Sequence, residues 1–250
     1  MVSTHTQRDL TIRFPIFGLV GLCLLGLATG CHVAASGSNV AGVRAVQSGQ
    51  SMAGVDYFQK ALHHEPTNAD AYYNLAATYH ELGKKNSDPS MLQQSEALYN
   101  KCLDLAPDHP ECHRALAVLL IDTKRSENAF TLLERWAQRS PTIADPKIEL
   151  ARLYEEFGDK NSAMNNLNQA LAIDSQNSRA WAALGNLREQ SGDVSQALAN
   201  YQRSYQLNNF QTDLGHRIAT LQRQGVQVDT GIGASSGTRL VQAPATRQRY

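Results

Sequence analysis

The sequence predicts an all-α protein, built as a solenoid of stacked helix–turn–helix repeats. The main observation is that four positions recur 34 residues apart without gaps. The four series are Leu116, Leu150 and Leu184; Ala117, Ala151 and Gly185; Ala129, Ala163 and Ala197; and Leu133, Leu167 and Tyr201. A fixed period of this length is typical of helix pairs that bury their apolar faces against neighbouring pairs. Such arrays generally present binding surfaces and seldom carry out chemistry themselves.

Each repeat is expected to contain two helices and a tight turn. In residues 144–177, apolar side chains recur at helical spacing over 148–154 and again over 163–171. Gly158-Asp159 lies between them and is expected to form the turn, since glycine adopts the left-handed conformation that ends a helix. Asp145-Pro146 and His109-Pro110 each predict a helix start, with a capping residue before a first-turn proline. The small residues are expected at close helix crossings, where a larger group costs about 1–3 kcal/mol.

These residues, taken in register, resemble the tetratricopeptide repeat. Residues 178–211 match its pattern with Trp181, Leu184, Gly185, Gly192, Ala197 and Tyr201. Residues 144–177 match it with Leu150, Ala151, Tyr154, Gly158, Ala163, Leu167 and Ala170. Residues 110–143 match it with Leu116, Ala117, Ala129, Leu133 and Pro141. Trp136 departs from the pattern, because the family has a small Ala there, and we interpret it as a repacked core residue.

The resemblance predicts a tetratricopeptide-like solenoid over residues 51–224. Residues 69–109 form a repeat that is too long, and the excess is placed between its helices at 84–92. Residues 35–68 resemble a degenerate first repeat with a poor first helix, so 31–50 is either a linker or a degenerate helix. Residues 212–224 are predicted to be a capping helix, and residues 225–250 a disordered C-terminal tail rich in Ser, Thr and Gly.

The N-terminal residues 1–30 are predicted to be a targeting segment. Arg8 and Arg13 precede an apolar run over 14–28, and small residues follow. The run ends Leu-Ala-Thr-Gly-Cys at Cys31, which resembles a bacterial lipoprotein signal. This resemblance implies cleavage before Cys31 and acylation of that residue. The alternatives are an uncleaved membrane anchor, cleavage near 33–35 by the ordinary signal peptidase, or a buried helix of a cytosolic protein.

The lipoprotein resemblance implies a membrane-anchored protein of the cell envelope. Several acyl chains hold a protein firmly in a bilayer, because each buried methylene contributes about 0.8 kcal/mol. In that family the residue after the cysteine influences sorting, and here it is His32, not the aspartate associated with inner-membrane retention. We therefore expect the outer membrane, with the repeats facing the periplasm, if the organism has two membranes.

Composition and motifs argue against nucleic-acid binding and catalysis. The chain has 23 basic and 23 acidic residues, so it lacks the positive charge that a polyanion-binding protein needs. Phosphate-binding loops, nucleophile elbows and dinucleotide-binding glycine motifs are not found in the sequence. The sequence therefore predicts no enzyme activity, no catalytic residues and no cofactor.

Cys102 and Cys112 are predicted to flank one short turn, which could bring them within disulfide distance in an oxidising compartment. The alternative is a free thiol, since Cys102 occupies a position that the repeat usually gives to a buried Ala. A metal site formed with His109 and His113 is not expected. The spacing fits no common zinc pattern, and the adjacent Cys112 and His113 point apart on a helix.

The tetratricopeptide resemblance also implies a concave groove lined by the first helix of each repeat. The positions that match the groove of the family are Tyr73, Asn74, Ala77, His80, Arg114, Val118, Ile121, Asp122, Ile148, Glu149, Arg152, Glu155, Arg179, Ala182, Asn186 and Glu189. A helix or an extended peptide could lie along this face. The alternative for any one of these polar residues is that it only solvates the surface. Arg114 and Arg152 beside Val118, Ile121 and Ile148 suggest a partly apolar partner carrying some acid.

Taken together, these features predict a non-enzymatic, lipid-anchored scaffold for protein–protein interaction. Its partners are expected to be a protein or peptide in the groove and the membrane at the N-terminal anchor. One alternative is an assembly factor for an envelope machine, such as a type IV pilus, a secretin or an outer-membrane insertion complex. Another is a docking subunit for a cell-wall enzyme.

Overall fold

The computed structural model describes residues 34–228, and within that range the secondary structure consists of eleven α-helices and no strand. The predicted signal segment, Cys31 and nearly all of the predicted tail lie outside the described residues. No helix within 34–228 is both long enough and apolar enough to cross a membrane. The described chain forms two compact bodies, an N-terminal body through Arg139 and a C-terminal body from Ser140.

The N-terminal body contains six helices. They are α1 (34–47), α2 (Ser51–His64), α3 (Ala69–Asn86), α4 (Pro89–Leu105), α5 (Pro110–Asp122) and α6 (Ser126–Arg139). Successive helices pack on one another from α2 onward, and α5 also packs on α3, as expected for stacked helix pairs. One cluster of its core is formed by Val55, Phe58 and Leu75, with Val43 and Val46 of α1 packed against it. Residues 34–47 are therefore a helix of the body, and not a linker.

The C-terminal body contains five helices. They are α7 (Asp145–Glu156), α8 (Lys160–Ile173), α9 (Ser178–Gln190), α10 (Val194–Leu207) and α11 (Thr212–Arg223). A core cluster joins α7, α8 and α9 and consists of Ala144, Ile148, Ala151, Ala163, Leu167, Ala170, Ala180, Leu184 and Leu187. A second cluster joins α10 to α11, against which Val226 and Val228 also pack. The segment predicted as a capping helix thus covers the last helix pair.

The turns and helix starts follow the sequence closely, with one exception. Gly158 and Gly192 have φ values of 81° and 84°, as the turn prediction requires. Asp159 accepts a hydrogen bond from the Ser162 backbone N–H (3.0 Å), which caps α8. The predicted cap Asp145 is wrong: it lies inside the first turn of α7, and Ala144 at the cap position makes no side-chain bond. The Asp145 carboxylate instead binds the Arg179 guanidinium at 2.9 Å.

The long repeat accommodates its extra residues by lengthening its helices. The prediction placed the excess between the helices, at 84–92. In the structure α3 continues to Asn86 and α4 starts at Pro89, so that only Ser87 and Asp88 connect them. The Asp88 side chain accepts hydrogen bonds from the backbone N–H groups of Ser90 and Met91 and so starts α4 at once. The contact between α3 and α4 is therefore extended, and the repeat carries no loop insertion.

Gly185 and Tyr201 form a matched pair in the C-terminal body. A Cβ atom at Gly185 would lie 2.6 Å from the Tyr201 ring, closer than real contacts allow. The same two positions of the preceding repeat hold Ala151 and Leu167, both buried. A larger residue on one helix thus accompanies a smaller residue on the other, as close packing requires.

We expect Gly185→Ala to destabilise the protein by about 1 kcal/mol, because overpacking against a rigid ring outweighs the gain in helix propensity. In the Tyr201→Leu background, the same change is expected to stabilise by about 0.5–1 kcal/mol, because the ring is gone and the propensity gain remains. A double-mutant cycle in urea measures the coupling. Additive effects of the two changes would contradict the assigned register.

Candidate functional site

The predicted groove residues lie on the first helix of each repeat, in two separate sets. Tyr73, Asn74, Ala77 and His80 lie on α3, and Arg114, Val118, Ile121 and Asp122 lie on α5, all in the N-terminal body. Ile148, Glu149, Arg152 and Glu155 lie on α7, and Arg179, Ala182, Asn186 and Glu189 lie on α9, all in the C-terminal body. Their role in binding remains a prediction, so each set is described by the contacts that it makes.

In the N-terminal body, an ion-pair cluster connects α3 to α5. His80 is buried, and its Nε2 lies 3.0 Å from Asp122 Oδ2. The Lys84 ammonium approaches the same oxygen at 2.9 Å. Although burial raises the pKa of Asp122, the hydrogen bonds from Lys84 and His80 hold it below its usual value. His80 and Asp122, both predicted from the sequence, are thus brought together and hold the two helices in a fixed relation.

An apolar cavity opens beside Asn74 and Ala77 in the same body. It has a volume of about 170 Å³ and lies between α1, α2 and α3. Its lining residues are Val43, Val46, Gln47, Ser51, Phe58, Asn74, Ala77, Thr78 and Glu81. The Asn74 side chain donates a hydrogen bond to Asn39 Oδ1 (3.0 Å), which fixes the amide at the edge of the cavity. Sequence reasoning missed this cavity, because one wall comes from α1, whose sequence gave a poor helical signal.

In the C-terminal body, the predicted groove residues bind one another. Arg179 donates to Asp145 (2.9 Å) and to the buried Glu149 (2.7 Å). Arg152 Nε lies 3.4 Å from Glu149. The basic groove residues of this body are therefore already paired with acids of the same body, and an acidic partner would have to compete with those carboxylates.

Two further acids of this body organise its remaining groove residues. Glu155 accepts hydrogen bonds from Asn186 (3.1 Å) and Gln190 (2.8 Å). Glu189 accepts a hydrogen bond from the Tyr201 hydroxyl at 2.8 Å and also binds Arg217 of α11. The face formed by α7, α9 and α11 is thus a network of ordered polar groups. Ala182 and Asn186 border an open depression on it.

Cys102 and Cys112 are both free and fully buried thiols in the structure. The Cys112 thiol donates a hydrogen bond to the Tyr99 carbonyl oxygen at 3.3 Å. Its hydrogen bond with the Cys102 thiol, together with burial, raises the pKa of Cys112. The Cys112 thiol therefore stays protonated and unreactive at neutral pH while it is buried. Within residues 34–228, no group of three or more His, Cys, Asp or Glu side chains could hold a metal ion.

A buried aromatic pair in the N-terminal body was also missed by sequence reasoning. The rings of His113 and Trp136 stack at 4.0 Å with an angle of 9° between their planes. His113 Nε2 donates to the Pro107 carbonyl oxygen (3.0 Å), and Trp136 Nε1 donates to Asp108 (2.9 Å). Burial lowers the pKa of His113 to about 4, so the ring is neutral near pH 7. The signal was present in the sequence, because Trp136 is large where the repeat usually has Ala.

Comparison with known proteins identifies the repeats. Residues 57–87 and 125–187 match profiles described as tetratricopeptide repeat. A structure titled as a thermophilic TPR protein of Thermus thermophilus aligns with a TM-score of 0.57 and 23% identity, over 76% of this chain and 100% of that one. These two segments therefore match tetratricopeptide repeats, and the predicted all-α repeat fold is confirmed.

Two further structures align less closely. MamA of Desulfovibrio magneticus has 18% identity and a TM-score of 0.44, over 71% of this chain and 97% of that one. YrrB, titled as a TPR protein with an unusual peptide-binding site, has 13% identity and a TM-score of 0.41, over 72% and 89%. These two scores are too low to add to the fold assignment. Among curated proteins, none matches this chain in sequence.

Proposed function

We propose that this protein is a lipid-anchored scaffold of the bacterial cell envelope that binds another protein through its repeats. Tetratricopeptide repeats generally mediate protein–protein interaction and are typically non-catalytic. The observation that carries the binding role is the cavity beside Asn74 and Ala77. It is an apolar opening at positions where the resemblance to the family predicts contact with a ligand.

The membrane tether is supported by the sequence before the first described helix. An apolar run follows two arginines and ends in Leu-Ala-Thr-Gly-Cys at Cys31. Helix α1 is described from residue 34, only three positions after that cysteine. Acylation at Cys31 would therefore hold the first repeat close to the membrane surface. His32, which replaces the aspartate of inner-membrane retention, supports the outer membrane and its periplasmic face as the location.

Replacing Cys31 with Ala is expected to abolish acylation. The protein is then expected either to be released into the periplasm or to accumulate as an unprocessed precursor. The reason is that the thiol is the site of the first acyl chain. Cys23→Ala is a matched control, because Cys23 lies inside the apolar run that would be removed. The measurement is metabolic labelling with an alkyne fatty acid, followed by fractionation of inner and outer membranes. A Cys31→Ala variant that keeps its membrane fraction, with a wild type that takes up no label, would contradict the tether.

The identity of the partner is tested by photocrosslinking in the native cell. A photoreactive amino acid is placed at Gln47, which borders the cavity, and in a second variant at Ala182 on the C-terminal body. A secretin or pilus component as the product would support the assembly-factor role. An outer-membrane insertion protein would support the insertion-complex role, and a cell-wall hydrolase the docking role. Failure to crosslink any protein from either position would argue against a scaffold.

A further inference from the structure

We infer that the cavity between α1, α2 and α3 receives one aliphatic side chain of the partner, and that Glu81 pairs with a Lys or Arg next to it in the same segment. This inference rests on the proposed function and specifies the chemistry of the partner. It commits to a partner segment that is apolar and basic. The sequence had suggested an apolar and acidic partner.

The size of the cavity indicates a single side chain. Sites that enclose a whole small molecule have volumes of about 300–1,000 Å³. The cavity here holds about 170 Å³, which suits the side chain of one Leu, Ile, Val or Met. A peptide that lies across the repeats could insert such an anchor while the rest of it stays at the surface, as in other helix and peptide grooves.

The walls of the cavity are chemically suited to an aliphatic group. Val43 and Val46 come from α1, Ala77 from α3, and the Phe58 ring, which is 1% exposed, comes from α2. Helix α1 can approach α2 closely because residue 42 is a glycine. A Cβ atom at Gly42 would lie 2.5 Å from the Phe58 ring. The apolar walls are therefore held by core residues and persist without a ligand. A preformed site of this kind binds without first being ordered.

The charge at the edge of the cavity determines which kind of partner residue is favoured next to the aliphatic anchor. Among the described residues that line the opening, Glu81 is the one that is charged, and it is exposed. It forms no hydrogen bond or ion pair with any other residue of the described range. Lys84, one turn further along α3, forms its ion pair with Asp122 at 2.9 Å and interacts with Glu81 only through the longer-range attraction between their charges. A cation beside the aliphatic anchor would thus meet a carboxylate that has no direct ion-pair contact, which favours binding of the cation and disfavours an acidic neighbour.

The polar groups around the opening leave acceptors for a peptide backbone. The Thr78 hydroxyl donates to the Asn74 carbonyl oxygen at 2.8 Å, so its proton is used within α3. The Asn74 amide group donates to Asn39, so its own oxygen stays available as an acceptor at the edge of the cavity. An extended or helical segment whose backbone N–H faces this edge could therefore be held in place while its side chain enters the cavity.

The test uses the full chain, purified in detergent, and a library of random dodecapeptides displayed on phage. Enriched peptides are expected to place Leu, Ile, Val or Met within two positions of Lys or Arg. Ala77→Phe, which fills the cavity from inside, is expected to weaken the binding of those peptides at least tenfold. Glu81→Lys is expected to weaken it to a similar degree, and peptides with Lys or Arg exchanged for Glu are expected to regain binding to that variant.

Matched controls separate the site from general effects. Glu134→Lys makes the same charge change at an exposed position of α6, and Ala172→Phe makes the same size change at an exposed position of α8. Both are expected to bind the peptides as the wild type does. Circular dichroism melting of Ala77→Phe checks the fold, and Glu81→Lys tests the inference independently because its side chain is exposed.

Several outcomes would overturn the inference. They are a library without enriched peptides, enriched peptides with acidic neighbours, and equal binding by Ala77→Phe and the wild type. Binding that emerges only after removal of residues 229–250, which include Arg239 next to Leu240, would assign the cavity to the tail of the chain. If the enriched peptides dissociated a dimer of this protein, the cavity would be assigned to binding a second copy of the same chain. A partner crosslinked from Ala182 but not from Gln47 would refute this inference alone, whereas no crosslink and no acyl label would refute the proposed function itself.

Discussion

Replacing Ala163 with Trp is expected to destabilise the C-terminal body by at least about 3 kcal/mol and to lower its melting temperature by more than about 10 °C. Ala163 is 0% exposed and belongs to the cluster that joins α7, α8 and α9. Ala151 and Ala180, each at most 2% exposed, contribute to the same cluster from the neighbouring helices. An indole ring there cannot be accommodated by one side chain turning away, so the helices themselves must move apart.

The matched control is Ala172→Trp on the same helix, because Ala172 is exposed. The two variants make the same change in helix propensity and composition and differ only in burial. Circular dichroism melting and urea unfolding are expected to show a large loss of stability for Ala163→Trp and a change within about 0.5 kcal/mol for Ala172→Trp. Equal melting curves for the two variants would mean that the small-residue series does not mark helix crossings.

The small and large series could be predicted from the sequence because they depend only on which face of a helix a residue occupies. Ala129, Ala163 and Ala197 are each 0% exposed, and Leu116, Leu150 and Leu184 are each 3% exposed. A period of 34 residues returns each position to the same place in the next helix pair, so one pattern determines many burials at once. The same logic locates the turns at residues 124, 158 and 192. Lys124 adopts the left-handed conformation, with φ of 63°, at the position that later repeats give to Gly.

Pairings between distant residues could not be predicted in this way. The helical period places Asp145, Glu149 and Arg179 on helix faces, but it does not show that one arginine binds both acids. The predicted cap at Asp145 was wrong for this reason, since a local rule competed with a partner 34 residues away. The excess at 84–92 was misplaced because its sequence continues two helices as readily as it forms a loop. Only the packing of α3 on α4 decides between them.

The candidate site was predicted in part. The groove positions on α3 and α5 were identified by resemblance, and the structure brings His80 and Asp122 together. The cavity was not predicted, because it needs the walls of three helices and one of them, α1, has a weak signal. Glu81 was not among the predicted residues either. Glu81 is of interest because it forms no hydrogen bond and no direct ion pair with any other described residue, and no sequence pattern indicates that.

Replacing Trp136 with Ala is expected to destabilise the N-terminal body by about 3–5 kcal/mol, although Ala is the usual residue at this position of the repeat. The ring is 1% exposed, stacks on His113 at 4.0 Å and donates a hydrogen bond to Asp108 at 2.9 Å. The gain in helix propensity from Trp to Ala is below about 0.7 kcal/mol and cannot offset a cavity the size of an indole. A change to the usual residue of the repeat is therefore expected to be destabilising in this chain, as the interpretation of Trp136 as a repacked core residue implies.

Trp136→Phe separates the contributions of the ring and the N–H group. Phe keeps an aromatic face for His113 and removes the donor to Asp108, so a smaller loss of about 1–2 kcal/mol is expected. Urea unfolding followed by circular dichroism at 222 nm measures both variants on the same helical signal. Because Trp181 of the C-terminal body is the other tryptophan of the chain, its fluorescence in the Trp136 variants follows that body separately. If Trp136→Ala proved as stable as the wild type or more stable, the stacked pair would contribute nothing to the core, and the preference of the family for a small residue would hold here as well.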